Sequence, residues 1–343
     1  VWSPDGETIV FVRRPEEDKP AQIFSMPSDG GEPEQLTKLD TGPSALRFAP
    51  DGKRLGFLAQ DPDDRETKRR KKSGDDARVF RVEETVTRLW TVSPRSGKPR
   101  AGSPEGLHIG GWDWMPDGRR AVVICCDAPD ANAQFFHSRL AIVDTVEGTL
   151  EPVNATLKFI AAPEVSPNGE QVAVIGGDMD APWGGQAWLV NLATGRKKCL
   201  APDLLGSVLG MQWFPNGSRL LLTVAESMFT RLCTVAPSEP GKLEPVCQGL
   251  PVAVNVARLS EDGDAVFAVA ESPECPPEIW RCNVATGEAE RLTRQNSFVE
   301  DLRLGRREVI TWRSEEHEIE GVLTLPPSYR KGRSYPTVLV IHG

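Results

Sequence analysis

Apolar and polar positions along the chain repeat in units of roughly 40 to 50 residues, and each unit contains short runs with the period of a β-strand. The second strand of each unit is an apolar run, as in Thr8–Val12, Arg54–Leu58 and Leu220–Val224. The third strand alternates between apolar and polar residues, as in Gln22–Met26, Ala187–Asn191 and Glu278–Cys282. A short polar run, such as Glu34–Thr37 or Glu290–Thr293, follows in each unit. Four strands per unit predict one blade of a β-propeller, so the fold class is all-β.

A five-residue motif marks the turn between the first two strands of each unit. Six copies occur: Trp2–Gly6, Phe48–Gly52, Trp114–Gly118, Val165–Gly169, Trp213–Gly217 and Leu259–Gly263. Proline fixes a turn corner, and the Asp-Gly or Asn-Gly pair supplies the positive φ of a tight connection. The marker glycines at 6, 52, 118, 169, 217 and 263 are separated by 46, 66, 51, 48 and 46 residues. Six regular blades are therefore predicted, with room for one further blade upstream.

The long step of 66 residues indicates an insertion at about Asp61–Arg78, which contains the basic run Lys68–Lys72. A nucleic-acid patch and a solvated excursion are the two interpretations. Seven basic and six acidic residues in this window leave a net charge of only +1, which favours the excursion. A helical turn there would place Asp64 with Lys68 and Glu66 with Arg70 as i,i+4 pairs.

Composition narrows the partners that the chain can have. The formal charge is −9 and the pI is about 5.2, which argue against nucleic acid as a partner. The longest apolar run is far shorter than the roughly 20 residues that span a bilayer, so no membrane association is expected. Seven cysteines without a paired CxxC pattern favour a reducing compartment and thus a cytoplasmic location. No cofactor is implied, and the oligomeric state cannot be deduced.

The pattern changes after Thr293. Two apolar-polar runs, Glu308–Trp312 and Ile319–Leu325, precede a proline-rich break. The continuous apolar run Thr337–Ile341 follows and is typical of a strand buried on both faces. We therefore predict a propeller over residues 1–305, incomplete at its amino terminus, and the truncated start of a second domain over 306–343.

The sequence Leu325-Pro326-Pro327, together with Tyr335-Pro336 before a β-branched strand that ends in His342-Gly343, resembles the entry into the peptidase domain of the prolyl oligopeptidase family. The acylaminoacyl-peptidase-like branch is the most similar. This resemblance implies a propeller followed by an α/β-hydrolase domain, with short peptides as substrates. It also implies that His342 and Gly343 begin the loop that furnishes part of the oxyanion hole, Gly343 through its backbone amide and His342 as a positioning residue.

Two departures from the family pattern stand out. Glu316-His317 occupies the place where the family commonly has an Asp-Gly turn, which puts the geometry of that hairpin in question. No G-x-S-x-G nucleophile motif occurs in the sequence, and the resemblance places the catalytic Ser, Asp and His after Gly343. The chain by itself is therefore expected to be inactive, with no catalytic residue of its own.

Other candidate residues have simpler interpretations. His317 lies among Glu315, Glu316 and Glu318, but successive residues of an extended chain point to opposite faces, so an exposed polar turn is favoured over a metal site. His108 and His137 lack the spacing of metal ligands. The pair Glu83-Glu84 could receive a peptide amino terminus, as the resemblance to dipeptidyl peptidases suggests. Tryptophans 2, 90, 114, 188, 213 and 280 fall at repeat positions and are predicted to pack within the blades.

Two hypotheses of different kinds follow. In the first, the chain is part of a serine peptidase that hydrolyses short peptides or releases acylated amino-terminal residues, and the propeller restricts access to the site. In the second, it is a non-catalytic propeller for protein binding that resembles the TolB-like group. The segment from Glu308 to Gly343 discriminates them, because a closed propeller has no use for it.

Overall fold

The computed structural model describes residues 1–75, 77, 79, 84–94, 97–177 and 185–341. Within these residues the strands form six antiparallel sheets of the propeller-blade type and a separate two-stranded hairpin. Five of the six sheets have four strands hydrogen-bonded in chain order, as the repeat predicts. The first has three, and Trp2 adds only an isolated bridge to Ile9.

The strands follow one another blade by blade. The first three blades comprise β1 (Thr8–Arg13), β2 (Gln22–Pro27) and β3 (Glu34–Gln35); β4 (Ser44–Phe48), β5 (Leu55–Gln60), β6 (Thr87–Val92) and β7 (Arg100–Ala101); and β8 (His108–Trp114), β9 (Arg120–Cys126), β10 (Arg139–Asp144) and β11 (Thr149–Pro152). The next three comprise β12 (Lys158–Val165), β13 (Gln171–Gly177), β14 (Gln186–Asn191) and β15 (Lys197–Cys199); β16 (Ser207–Trp213), β17 (Leu220–Glu226), β18 (Phe229–Val235) and β19 (Glu244–Val246); and β20 (Ala253–Leu259), β21 (Ala265–Ser272), β22 (Cys275–Asn283) and β23 (Ala289–Arg291).

Helices are short and lie in the connections. Helix α1 (Arg65–Lys72) lies between β5 and β6, and α2 (Ala131–Phe136) lies between β9 and β10. A 3₁₀ helix (Ser297–Asp301) leads from β23 to the hairpin of β24 (Arg307–Ser314) and β25 (His317–Thr324). In the described part of the chain, no helix is long and apolar enough to cross a membrane.

The chain divides into two compact units. The first comprises Val1–Leu222 with Thr234–Glu244, and the second comprises Thr223–Cys233 with Pro245–Gly343. The first unit holds the first four blades, and the second holds the sixth blade and the hairpin. The predicted boundary between residues 305 and 306 stays a prediction.

The marker motif forms the tight turn that its sequence predicts. In each of the six copies, the glycine N–H donates to the carbonyl three residues earlier, for example Gly52 to Ala49 and Gly118 to Met115, at 2.8 and 2.9 Å. All six marker glycines have φ between 62° and 78°. Glycine adopts this left-handed region at little cost, so the motif connects the first two strands of every blade in the same way.

A β-bulge recurs in the innermost strands, a few residues before the marker. The pairing with the second strand shifts register in β4, β8, β12 and β20. Ala45 and Ala162 have φ of 49° and 47° at these points. Because a bulge bends its strand and redirects the next side chains, the residues just before each marker are placed by a shared geometry.

The core of the first unit lies between neighbouring blades. One buried cluster joins Leu58 and Leu89 of the second blade to Trp112, Trp114 and Val123 of the third. Trp114, Trp188 and Trp213 are buried and Trp90 and Trp280 are half-buried, in line with their predicted packing. Trp2 is 60% exposed, so its prediction as a core residue is wrong, because its isolated bridge does not hold the indole against the sheet.

The basic insertion is a helix whose charges are largely compensated. Asp64 caps α1 by accepting the Thr67 N–H at 2.7 Å, and Glu66 pairs with Arg69 rather than with Arg70. The predicted i,i+4 pairs are therefore wrong, because the cap occupies one carboxylate and Arg69 the other. The ion pairs formed are Lys68 with Asp40, Arg69 with Glu66, Arg70 with Asp75 and Lys71 with Asp63. Four of the five basic residues in the run are thus neutralised locally.

Candidate functional site

The predicted start of the oxyanion loop, His342 and Gly343, lies outside the described residues, and so does Glu83. The run before it, Thr337–Ile341, is described and forms no β-strand. Its side chains Val338, Leu339, Val340 and Ile341 are 78–85% exposed. In this chain no described strand pairs with the run and no described element covers it, so its burial as a strand within a longer protein stays a prediction.

The first two strands after the propeller form a regular hairpin despite the unusual turn sequence. Eight residue pairs match in register from Arg307 with Thr324 to Ser314 with His317, which leaves a two-residue turn. Glu315, the first turn residue, has φ of 55°. Two-residue hairpin turns favour glycine or asparagine at such positions, so this turn forms at some cost in backbone strain.

The histidines occupy ordinary structural positions. His317 and its three neighbouring glutamates are exposed as predicted, but only Glu315 and Glu316 form the turn, whereas His317 and Glu318 begin β25. His137 is exposed after α2, whereas His108 is buried and its Nδ1 accepts the Thr87 N–H at 3.2 Å. Burial lowers the pKa of His108. Its neutral ring is therefore an acceptor that ties the third blade to the second. Among the described residues, no group of three His, Cys, Asp or Glu side chains could hold a metal ion.

Three charged side chains converge where the innermost strands of the second, third and fourth blades end. Arg47 on β4 contacts Asp113 on β8 through Nη1 and Oδ1 at 3.1 Å, and Glu164 on β12 through Nη2 and Oε1 at 3.4 Å. The other Asp113 oxygen accepts the Val165 N–H at 2.8 Å. We call Arg47, Asp113 and Glu164 the inner triad.

Two members of the inner triad, Arg47 and Asp113, border an open cavity of about 400 Å³. The remaining lining comes from marker residues of the same blades: Phe48, Pro50, Trp114, Pro116, Val165, Ser166 and Pro167. Arg47 is 37% exposed at its side chain, against 15% for Asp113 and 22% for Glu164. One cation and two carboxylates give the inner triad a formal net charge of −1, and the Arg47 guanidinium is still accessible to solvent.

The sequence contains a signal for the inner triad at the position directly before each marker motif. Each member of the inner triad is the residue directly before a marker, and Gln212 and Arg258 occupy the same position in the fifth and sixth blades. This position is polar or charged in five of the six copies. A polar residue at a fixed point of an otherwise apolar repeat indicates a shared environment, here the innermost strands that in a propeller face the central channel.

A second unrecognised feature holds the connection to the hairpin. Glu278 on β22 is buried, and its carboxylate accepts the Thr293 hydroxyl and the Asn296 N–H, the latter at 2.9 Å. The hydrogen bond from Thr293 and the backbone bond lower the pKa of Glu278. An ionised carboxylate thus fixes the segment that leads from the sixth blade to the 3₁₀ helix.

An apolar groove lies within the second unit beside the hairpin. It has a volume of about 490 Å³, and Met228, Phe229, Val252, Val309 and Val322 contribute its apolar lining. These five side chains are 36–54% exposed. The hairpin is also tied to the turn before β18, because the Ser227 hydroxyl donates to Glu320. Glu84, of the predicted glutamate pair, lines a different and polar cavity beside α1.

Comparison with known proteins finds similarity to peptidases. No protein-family model matches it. It is 22% identical over 248 residues to dipeptidyl-peptidase 5 of Porphyromonas gingivalis, covering 68% of this chain and 34% of that protein. It is 24% identical over 371 aligned positions to the uncharacterized peptidase YuxL of Bacillus subtilis, covering 100% of this chain and 56% of that protein. The chain therefore spans between a third and somewhat over half of these relatives.

Solved structures agree on the fold. The Pyrococcus horikoshii acylaminoacyl peptidase matches with a TM-score of 0.73 and 17% identity, covering 98% of this chain and 51% of that one. An oligogalacturonate lyase from Vibrio parahaemolyticus also matches, with a TM-score of 0.62 and 16% identity over 86% of this chain and 77% of that one. Blades of this type therefore occur in proteins of different activity, so the structural matches show the fold alone. The predicted resemblance is confirmed: this chain has a β-propeller similar to those of peptidases of the prolyl oligopeptidase family.

Proposed function

We propose that the chain forms the propeller and the first hydrolase strands of a serine peptidase that hydrolyses short peptides or releases acylated amino acids from peptide amino termini. The hairpin β24–β25 is the observation that carries this proposal. It follows the sixth blade, has full register over eight pairs and is held by its own connection through Glu278. A binding propeller of the TolB-like kind has no requirement for such a hairpin.

The propeller's role in this proposal is to restrict access. Substrates that approach along the innermost strands would pass the inner triad, whose formal net charge of −1 and accessible guanidinium would select short peptides by their charge. The peptide carboxylate is the group that Arg47 is suited to contact. The nucleophile itself is proposed to come from residues that follow Gly343, since the sequence contains no G-x-S-x-G.

The coding sequence on either side of the chain is the first test. We expect a continuation that contains G-x-S-x-G, followed by an Asp and a His, and we expect the longer protein to react with a fluorophosphonate. The 343-residue chain alone should show neither labelling nor hydrolysis of an acylated peptide p-nitroanilide. A reading frame without a nucleophile motif would favour the binding propeller instead.

Access is tested in the longer protein with short and long peptides of the same cleavable end. Glu164→Gln should change KM for charged short peptides while leaving kcat within about twofold, because it removes a charge from the proposed access route and alters no group proposed to react. Ser218→Ala, at an exposed marker turn, is the matched control. An unchanged KM for every peptide would contradict a role of the inner triad in access.

A further inference from the structure

Two of the seven cysteines lie on neighbouring segments of the fifth and sixth blades, within the second unit. Cys247 directly follows β19 of the fifth blade, and Cys282 lies on β22 of the sixth. Both are buried, with 3% and 0% exposure. Burial and the interaction with the Cys282 thiol raise the pKa of Cys247. The two positions are about 35 residues apart in the sequence, so their approach depends on the packing of the two blades.

The backbone around these two cysteines is held in place. The Gly249 N–H donates to the Gly287 carbonyl at 3.3 Å. A Cβ on Gly249 would lie 3.2 Å from the Cβ of Ala289, and Ala289 is the register partner of Cys282. The segment that carries Cys247 is therefore packed tightly against the edge of the sheet that carries Cys282, which places the two cysteines on adjacent segments.

The remaining cysteines lack this arrangement or have another role. Cys125 and Cys126 are neighbours on one strand, so their side chains point to opposite faces. Cys126 donates to the Ala128 carbonyl at 3.0 Å, and the Arg231 guanidinium donates to Cys233 at 2.8 Å. All seven cysteines lie within the described residues, and none forms a disulfide in this structure.

We propose that Cys247 and Cys282 form a specific disulfide site that links the fifth and sixth blades under oxidising conditions. The oxidant is a small-molecule disulfide such as oxidised glutathione. One cysteine thiolate attacks it to give a mixed disulfide and release one glutathione thiol. The second cysteine then attacks the protein sulfur and releases the second thiol. The two cysteine sulfurs lose two electrons in total, and the glutathione disulfide gains them.

Burial determines how fast this site reacts. Loss of hydration raises the pKa of both thiols, so the reactive thiolate is scarce in the closed protein. The bond should therefore form during folding or local opening rather than by direct attack on the folded surface. The same burial would shield the finished bond from reductants.

The test refolds the whole 343-residue chain from urea in a buffer of reduced and oxidised glutathione, with a fully reduced sample in parallel. The expected product has lost the mass of two hydrogen atoms, and peptide mapping under non-reducing conditions finds Cys247 joined to Cys282. The crosslink should raise the melting temperature by roughly 5 °C relative to the reduced chain, because it restricts the unfolded state.

Variants give the controls. Cys247→Ala and Cys282→Ala should each abolish the mass change, whereas Cys233→Ala, at another buried cysteine of the same unit, should keep it. Mapping of the unaltered chain decides the question even where a variant folds poorly. A mapped bond between other cysteines, glutathione adducts at these two residues, or a pair that stays reduced while the chain folds would each overturn the proposal.

Discussion

Gly195 should be essential to the packing between the third and fourth blades, because its backbone approaches the neighbouring chain too closely for any side chain. It lies in the turn between β14 and β15 with φ of 68°. A Cβ at this position would lie 1.9 Å from the carbonyl oxygen of Asn154, which follows β11. Real Cβ atoms do not come that close to oxygen, so Gly195→Ala must displace one of the two backbones.

Gly148 offers a matched control. It occupies the corresponding turn between β10 and β11, with φ of 69°, and a Cβ there would have no atom within 4 Å. Both glycines donate their N–H to the carbonyl four residues earlier at 2.8 Å. Gly148→Ala therefore carries the left-handed backbone penalty alone, about 1–2 kcal/mol. Gly195→Ala adds an overpacking penalty of about 1–3 kcal/mol, for a total of about 2–5 kcal/mol.

Urea denaturation followed by tryptophan fluorescence measures both losses on the same scale. Trp188 lies on β14, next to the turn of Gly195, so its emission reports on the affected blade. We expect the midpoint for Gly195→Ala to fall well below that for Gly148→Ala with a similar slope. Equal losses for the two variants would refute the close-approach argument and leave only the backbone penalty.

Three further predictions concern single side chains. Because burial lowers the pKa of His108, the unfolded chain binds the proton more readily, and stability should fall as the pH drops below about 6.5, the ordinary value for histidine. In pH-dependent melting, His108→Asn should remove that loss and His137→Asn should not. Glu315→Gly should remove the strain of the positive φ and stabilise the hairpin by about 0.5–1 kcal/mol. Amide hydrogen exchange in β24 and β25 should become slower, and faster exchange would contradict the prediction. Asp113→Ala should lower the free energy of unfolding, measured by urea denaturation, by about 3–5 kcal/mol because Arg47 loses a partly buried partner. Asp113→Asn still accepts the Val165 N–H and should therefore lose less stability. Equal losses for the two variants would exclude that hydrogen bond as a contributor.

Local patterns predicted most of the fold. Alternation and the marker turns gave the strands and their order, because each blade is built from contacts between sequence neighbours and each marker needs only its own proline and glycine. What local patterns leave open depends on partners from elsewhere. The run Thr337–Ile341 has the composition of a buried strand, yet composition does not supply the strands and helices that would bury it.

The charge pairs of α1 failed for a related reason. The i,i+4 rule considers one helix in isolation, whereas Asp64 serves as its cap and Lys68 reaches Asp40, a residue of an earlier connection. Sequence spacing can place two charges on one helix face. It does not determine which of them a neighbouring loop will neutralise.

The inner triad shows how a repeat creates contacts that no single unit reveals. In two blades the marker tryptophan donates its indole N–H to the blade before it, Trp114 to the Arg47 carbonyl and Trp213 to the Glu164 carbonyl, at 3.1 and 3.0 Å. The intervening marker is Val165, which has no indole, and there the Asp113 carboxylate reaches forward to the Val165 N–H instead. In the fourth blade, where the marker has no indole donor, the hydrogen bond to the third blade is thus made by the Asp113 carboxylate as acceptor. Because those two residues are 52 positions apart and meet only after the blades stack, the compensation becomes visible only when the same repeat position is compared across units.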